Sequence, residues 1–199
     1  MASIMLRRAE VLAKIDAGFP TSPIFLTLGG TAREMLAMAG RKPNQLVNLD
    51  AMGQTVSIAL GMAVGLEGRA HGERVIAIEG DGSLIMGLSV MSTVGHLAPR
   101  NLVVFVLDNG VYLATGGQPT AARDMDFAAV ALASGWAGAR DVRTPAELDD
   151  ALAWSTDAPG PLLVRVFITT DQIPTDFFLE DPAILAEDFR RWLQHEDAS

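Results

Sequence analysis

Residues 74–109 read RVIAIEGDGSLIMGLSVMSTVGHLAPRNLVVFVLDN. Two apolar runs, 74–78 and 102–107, flank one segment of helical spacing, 83–96. Short apolar runs without polar alternation read as strands buried on both faces. Strand, helix and strand in this order predict a right-handed crossover between parallel neighbours. Each strand runs into a polar turn: Gly80-Asp81-Gly82-Ser83 after the first, Asp108-Asn109-Gly110 after the second. Neighbouring strands lie about 5 Å apart. Asp81 and Asn109 are therefore expected to meet at one edge of the sheet, although 28 residues separate them.

Working outward, residues 24–28, 46–49 and 162–168 predict further strands. Residues 31–40, 52–68, 127–134, 144–154 and 182–194 predict helices, the one at 144 opening on an N-cap Thr with Pro next. Residues 1–19 predict an amphipathic helix rather than a signal peptide. Residues 116–120, GGQPT, read as loop. The expected fold is α/β, a three-layer parallel sheet with helices on both faces. One domain is expected over residues 1–199, with the helices at 1–19 and 181–199 as peripheral arms. Ligands in such sheets sit beyond the carboxyl ends of the strands.

Composition narrows the partners. Of 199 residues 49% are hydrophobic and only 20% charged, which reads as a packed globular chain. A net charge of -9 argues against nucleic acid, whose binding rests on neutralising phosphates. Any anion must be held locally, by backbone N–H groups, a few arginines or a metal. The absence of cysteine excludes disulfides, thiolate zinc and cysteine-held iron–sulfur clusters, and fits a cytoplasmic setting. No apolar run approaches the ~20 residues that span a bilayer, so no membrane partner is expected.

The two turns suit one chemistry. A carboxylate from Asp81 and an amide oxygen from Asn109 are hard ligands, and magnesium takes one or two carboxylates together with substrate phosphates. Gly80 and Gly82 let the backbone come close to a bulky anion. Ser83 is expected to cap the following helix, whose free N–H groups then face the same spot. Taken singly, GDGS is an ordinary tight turn and DNG an ordinary loop opening. Their pairing across one crossover points instead to a diphosphate held through a divalent metal.

GDGS followed at this spacing by a D-N pair resembles the signature of thiamine diphosphate enzymes. LDAMGQTVSIALGMAVG (49–65) looks like the region preceding that signature, and GGTARE (29–34) like the loop after the first strand. LDNGVYLATGGQPT (107–120) is similar to the matching region of sulfopyruvate and phosphonopyruvate decarboxylases. The resemblance covers roughly residues 20–170 and implies the thiamine diphosphate-binding fold, in its pyrophosphate domain. It implies magnesium ligated by the side chains of Asp81 and Asn109 and the carbonyl of Val111. Gly80, Gly82 and Ser83 would border the diphosphate, with Gly30 and Thr31 helping from the first loop and Tyr112 from the last. Met52 matches the apolar prop that bends the cofactor, and the Asp50 carbonyl would accept from its amino group, although many relatives have Gly there. Arg33 and Gln118 are candidates for the substrate.

The implied reaction is decarboxylation of a small anionic 2-oxo acid. A glutamate that activates the cofactor belongs, in such enzymes, to a separate pyrimidine-binding domain, for which this chain has no room. Glu34, Glu67 and Glu79 lie within the diphosphate half. No catalytic residue is expected in this chain, and a partner subunit in a hetero-oligomer is expected to supply it. His71, His96 and His195 have no visible partner group and read as structural or solvated. Rival readings are a carboligase subunit similar to acetolactate synthase, a subunit of a 2-oxo acid oxidoreductase, and a non-catalytic cofactor-binding module. The last would carry damage at Asp81 or Asn109, and both are intact.

Overall fold

The computed structural model describes residues 6–69, 73–176 and 180–196. Along the chain the elements run α1 (Arg8–Gly18), β1 (Ile24–Leu26), α2 (Gly30–Ala39), β2 (Gln45–Val47), α3 (Thr55–Leu66), β3 (Val75–Gly80), α4 (Asp81–Met86), α5 (Val90–Leu97) and β4 (Leu102–Asp108). There follow β5 (Val111–Tyr112), β6 (Gln118–Pro119), α6 (Phe127–Ala133), β7 (Gly138–Val142), α7 (Pro145–Asp157), β8 (Leu162–Phe167) and α8 (Pro182–Glu196). Six strands form one sheet in the order β2-β1-β3-β4-β8-β7, every pair parallel. β5 and β6 make a small antiparallel pair outside it.

The apolar runs decide this architecture. β4 is buried at all its positions, and successive side chains of a strand point to opposite faces. Val103, Phe105 and Leu107 enter one core with Leu12 and Ile15 of α1, Met35 of α2 and Leu148 of α7. Leu102, Val104 and Val106 enter the other with Ala59 and Ala63 of α3, Val94 of α5 and Phe127 of α6. A strand that serves two cores has no polar face, hence LVVFVLD without alternation.

The structure departs from the sequence expectations in several places. Residues 83–96 do not form one helix: α4 ends at Met86 and α5 starts at Val90. A Cβ on Gly87 would lie 1.9 Å from the Gly53 carbonyl oxygen, so the chain breaks where it presses against another backbone. Ser83 is not the cap either; Gly80 holds that position and Ser83 sits inside α4. The helix at the N-terminus is no peripheral arm, because Val11, Leu12 and Ile15 are fully buried. α8 likewise buries Leu185 and Phe189, the latter edge-on to Phe25 at 5.5 Å. Strand β7 had no sequence signal. It is an edge strand, GARDV, whose exposed residues are Arg140 and Asp141; charges of this kind keep an open edge from pairing with other chains.

Two features of the topology place the site. From β1 the chain turns outward to β2, whereas from β3 it turns the other way to β4. The crevice between β1 and β3 is thus a topological switch point, where ligands bind in open α/β sheets. In addition, Gly80 pairs with Leu107 in the β3–β4 register. Asp81 therefore leaves the sheet level with Asp108, and Asn109 one residue beyond.

Candidate active site

A cleft of about 420 Å³ opens over the carboxyl ends of β1, β3 and β4. It is lined by Arg8, by 27–31 after β1, by Met52, by 80–83 after β3, by Met86, and by Leu107, Asn109 and 111–115 after β4. Gly30, Thr31, Met52, Gly80, Asp81, Gly82, Ser83, Asn109, Val111 and Tyr112 all border this one space. Asp50 and Arg33 line an adjoining cleft of about 400 Å³, which shares Leu28, Gly29 and Ala114 with the first. Gln118 is exposed, folded back on Thr115 through two hydrogen bonds, and lines neither cleft. His96 is exposed at the end of α5. His71 lies outside the described residues, as does the side chain of His195.

The donor set is all oxygen. Asp81 is buried, and the Thr120 hydroxyl donates to its Oδ2 at 2.5 Å. A carboxylate has about four lone-pair sites, so this bond leaves room for a cation. Burial pushes the Asp81 carboxyl above the usual aspartate range; the Thr120 bond opposes that shift and the nearby Asp108 charge adds to it. A divalent cation at this point would reverse that balance by stabilising the ionised form. The Asn109 Oδ1 accepts from the Val111 amide at 3.0 Å, which folds 109–111 into a tight turn. Among the described residues no cluster of three or more His, Asp or Glu side chains could hold a metal alone. One carboxylate and one amide oxygen would need a ligand's own oxygens to complete a cation's sphere, an arrangement that suits magnesium.

The walls are shaped by missing side chains. A Cβ on Gly82 would sit 2.2 Å from the Tyr112 ring, whose hydroxyl reaches the Gly82 carbonyl at 3.4 Å. The Gly53 amide donates to the Ser83 Oγ at 2.8 Å, which ties the loop of Met52 to the turn after β3. Met52 is half-buried and faces the cleft, so it is not core. Asp50 has φ 55°, a left-handed conformation that Gly takes freely and Asp tolerates.

Sequence reasoning missed three groups here. Arg8 lines the cleft from the first turn of α1, bonded to Glu34. Arg165 of β8 braces Asp108 from behind the site, at 2.8 Å from Nε to Oδ2. Thr120 holds Asp81. None has a local signal, because each acts on a residue at least 26 positions away.

Glu79, one step below the turn, is fully buried; Gly80 donates to its Oε1 at 3.1 Å, and Oε2 has no hydrogen-bond partner among the described residues. Burial pushes its carboxyl above the ordinary range, and the hydroxyls of Thr27, Ser83 and Thr55 around it offset only part of that. Below the ordinary glutamate pKa of about 4.3 both folded and unfolded chains hold the proton and stability is full. As pH rises through the raised folded value, the fold must ionise a desolvated group and loses stability. The ligand-free chain is expected to melt at progressively lower temperature as pH rises above the ordinary glutamate range. Glu79→Gln should flatten that slope in thermal melts; an unchanged slope would show that Glu79 titrates normally.

Residues 29–166 match the family model described as the thiamine pyrophosphate enzyme, C-terminal TPP binding domain. A phosphonopyruvate decarboxylase of Streptomyces viridochromogenes is 36% identical over 163 residues, which is 81% of this chain and 39% of the relative. The sulfopyruvate decarboxylase subunit beta of Methanothermobacter thermautotrophicus is 32% identical over 156 residues, 78% of this chain and 80% of the relative. The chain thus spans well under half of the Streptomyces relative but most of the methanogen subunit. Among solved structures, the benzoylformate decarboxylase of Polynucleobacter necessarius superposes with a TM-score of 0.71 at 20% identity, covering 86% of this chain and 34% of the other. That likeness shows the fold.

Proposed function

The chain belongs to the thiamine pyrophosphate enzymes, as their C-terminal cofactor-binding domain, and on that premise we propose that it is the diphosphate- and magnesium-holding subunit of a split 2-oxo acid decarboxylase. The observation that carries this reading is the placement of Asp81 and Asn109 at the ends of adjacent parallel strands, bordering one cleft.

In that reading Asp81, Asn109 and the Val111 carbonyl hold the magnesium ion, and the backbone N–H groups of Gly82 and Ser83 meet the diphosphate. The Ser83 hydroxyl accepts from Gly53, which fixes the turn after β3 against the loop of Met52. Met52 props the cofactor, and Asp50 presents its carbonyl from the adjoining cleft. The cofactor, when bound, supplies the electron sink for loss of carbon dioxide. What this chain contributes is binding, orientation and exclusion of water.

Among the described residues no glutamate lines the first cleft, and Glu180 of the adjoining one is paired with Arg41. Glu34 is tied to Arg8, Glu79 lies buried beneath the turn, and Glu67 is exposed beyond α3. An activating carboxylate would therefore come from a second chain, as the likeness to most of a beta subunit supports. The substrate class is a 2-oxo acid with a second acidic group, sulfopyruvate or phosphonopyruvate.

The test is to assay the purified chain alone and after reconstitution with the chain that copurifies with it. Carbon dioxide release from sulfopyruvate or phosphonopyruvate is expected only in the reconstituted sample. Full turnover by the chain alone would sink the split-subunit reading, and a coupled ketol in place of an aldehyde product would turn the assignment to carboligation.

A further inference from the structure

We infer that Arg8 is an anion-binding residue of the cleft, held by Glu34 so that its remaining guanidinium N–H groups can take an oxygen of a phosphate, phosphonate or sulfonate. The inference rests on the functional reading above and adds to it a residue from outside the signature turns.

Local preference does not explain Arg8. It is the first residue of α1, where a cation opposes the helix dipole. Nor is it the solvated side chain that an Arg-Arg pair suggests, since its side chain is 6% exposed. It points instead at α2. Its Nη1 donates to the Glu34 Oε1 at 2.8 Å, and the Glu34 side chain is 2% exposed. A buried ion pair costs more desolvation than an apolar pair of the same size, so packing alone is a weak reason for it.

The geometry supplies a stronger one. Arg8 borders the cleft and is the only cation among the described residues that do. A guanidinium has five N–H donors, and among the described residues Glu34 is the only hydrogen-bond partner Arg8 has. The guanidinium lies directly against Gly30: a Cβ there would sit 2.2 Å from Nη1. Gly30 thus gives up its side-chain space to Arg8, at the first turn after β1 where the cleft begins.

Electrostatics give the same sign. The chain carries a net charge of -9, and the cleft contains the Asp81 carboxylate. Holding a diphosphate and an acidic substrate there needs positive charge beyond one divalent ion. A desolvated guanidinium, fixed by a carboxylate on one side, pairs more strongly than a surface arginine. Arg33 is less suited: it is half-buried in the adjoining cleft, with its Nε turned to the Gly29 carbonyl at 3.4 Å.

Two anions could be the one held, the diphosphate tail of the cofactor or the acidic end of the substrate, and calorimetry on the full chain separates them. Wild type and Arg8→Gln are titrated with inorganic pyrophosphate plus magnesium and, separately, with sulfoacetate. At least one of these affinities is expected to fall by about 10-fold or more, the loss of a charge-assisted hydrogen bond. A fall with pyrophosphate assigns Arg8 to the cofactor tail, and a fall with sulfoacetate assigns it to the substrate. Arg8→Lys, which keeps the charge but not the fork, should fall in between; it carries the test if Arg8→Gln does not fold. Unchanged affinities in a variant with a lowered melting temperature would make the pair purely structural and overturn the inference, as would a wild type that binds neither anion. Failure of the functional reading looks different: the wild type then takes up no thiamine diphosphate, while its affinity for inorganic pyrophosphate still depends on Arg8.

Discussion

Asp81→Asn is expected to abolish magnesium-dependent uptake of thiamine diphosphate and to leave the ligand-free chain at least as stable as the wild type. The two effects have opposite signs for one reason. In the ligand-free chain Asp81 is buried, and burial holds its carboxyl above the usual range. Ionising Asp81 in the ligand-free fold therefore costs desolvation, with Asp108 adding repulsion. An amide of the same shape removes that cost and still accepts the Thr120 hydroxyl that now reaches Oδ2 at 2.5 Å. With magnesium the balance is expected to reverse, because the variant lacks the one carboxylate of the proposed ligand set. Losing an outer-shell partner of a metal typically costs 10–100-fold in affinity, so losing this ligand should cost more than about 100-fold. Calorimetry with the cofactor and magnesium reads the first effect and thermal melting without them reads the second. Undiminished uptake would remove Asp81 from the metal site, and a large fall in melting temperature would mean that the carboxylate is structural.

The sheet was legible in the sequence because its signals are local. Each inner strand is largely a run of apolar residues, as expected of a strand covered on both faces. The crossover from β3 to β4 followed, and with it the meeting of the two turns. What the sequence hid depends on contacts between distant positions. The break between α4 and α5 comes from Gly87 meeting Gly53, and a lone glycine in a helical pattern does not announce such a neighbour. β7 reads as loop because it lies at the edge and carries charge. Arg8 and Glu34 look like solvated members of two separate amphipathic helices. Only the packing of α1 on α2 buries them together. The chemistry of the site was written in types of residue; its bracing was written in pairs.

Arg165 is the strongest of those braces, and Arg165→Met is expected to be the most destabilising single change around the site. Its guanidinium reaches the Asp108 Oδ2 from both Nε, at 2.8 Å, and Nη2, at 2.6 Å. It also donates to the Met125 carbonyl at 2.9 Å and the Ala122 carbonyl at 2.8 Å. The rings of Phe127 and Phe167 lie against it at 4.8 and 4.5 Å. Both partners of the ion pair are buried, at 7% and 5% side-chain exposure. Removing one partner of such a pair leaves an uncompensated charge, and costs about 3–5 kcal/mol. The damage should also spread forward. Asp108 accepts from the Gly110 amide at 2.9 Å and so shapes the turn that presents Asn109 and Val111. Cofactor and magnesium affinity should fall with stability, by about 10–100-fold as for other outer-shell partners of a metal. The double variant Arg165→Met, Asp108→Asn should recover part of the stability, because the stranded charge is gone. Urea unfolding measures the three proteins directly. A loss below about 1 kcal/mol in Arg165→Met, the scale of an exposed ion pair, would mean that the turn carrying Asn109 stands without this arginine.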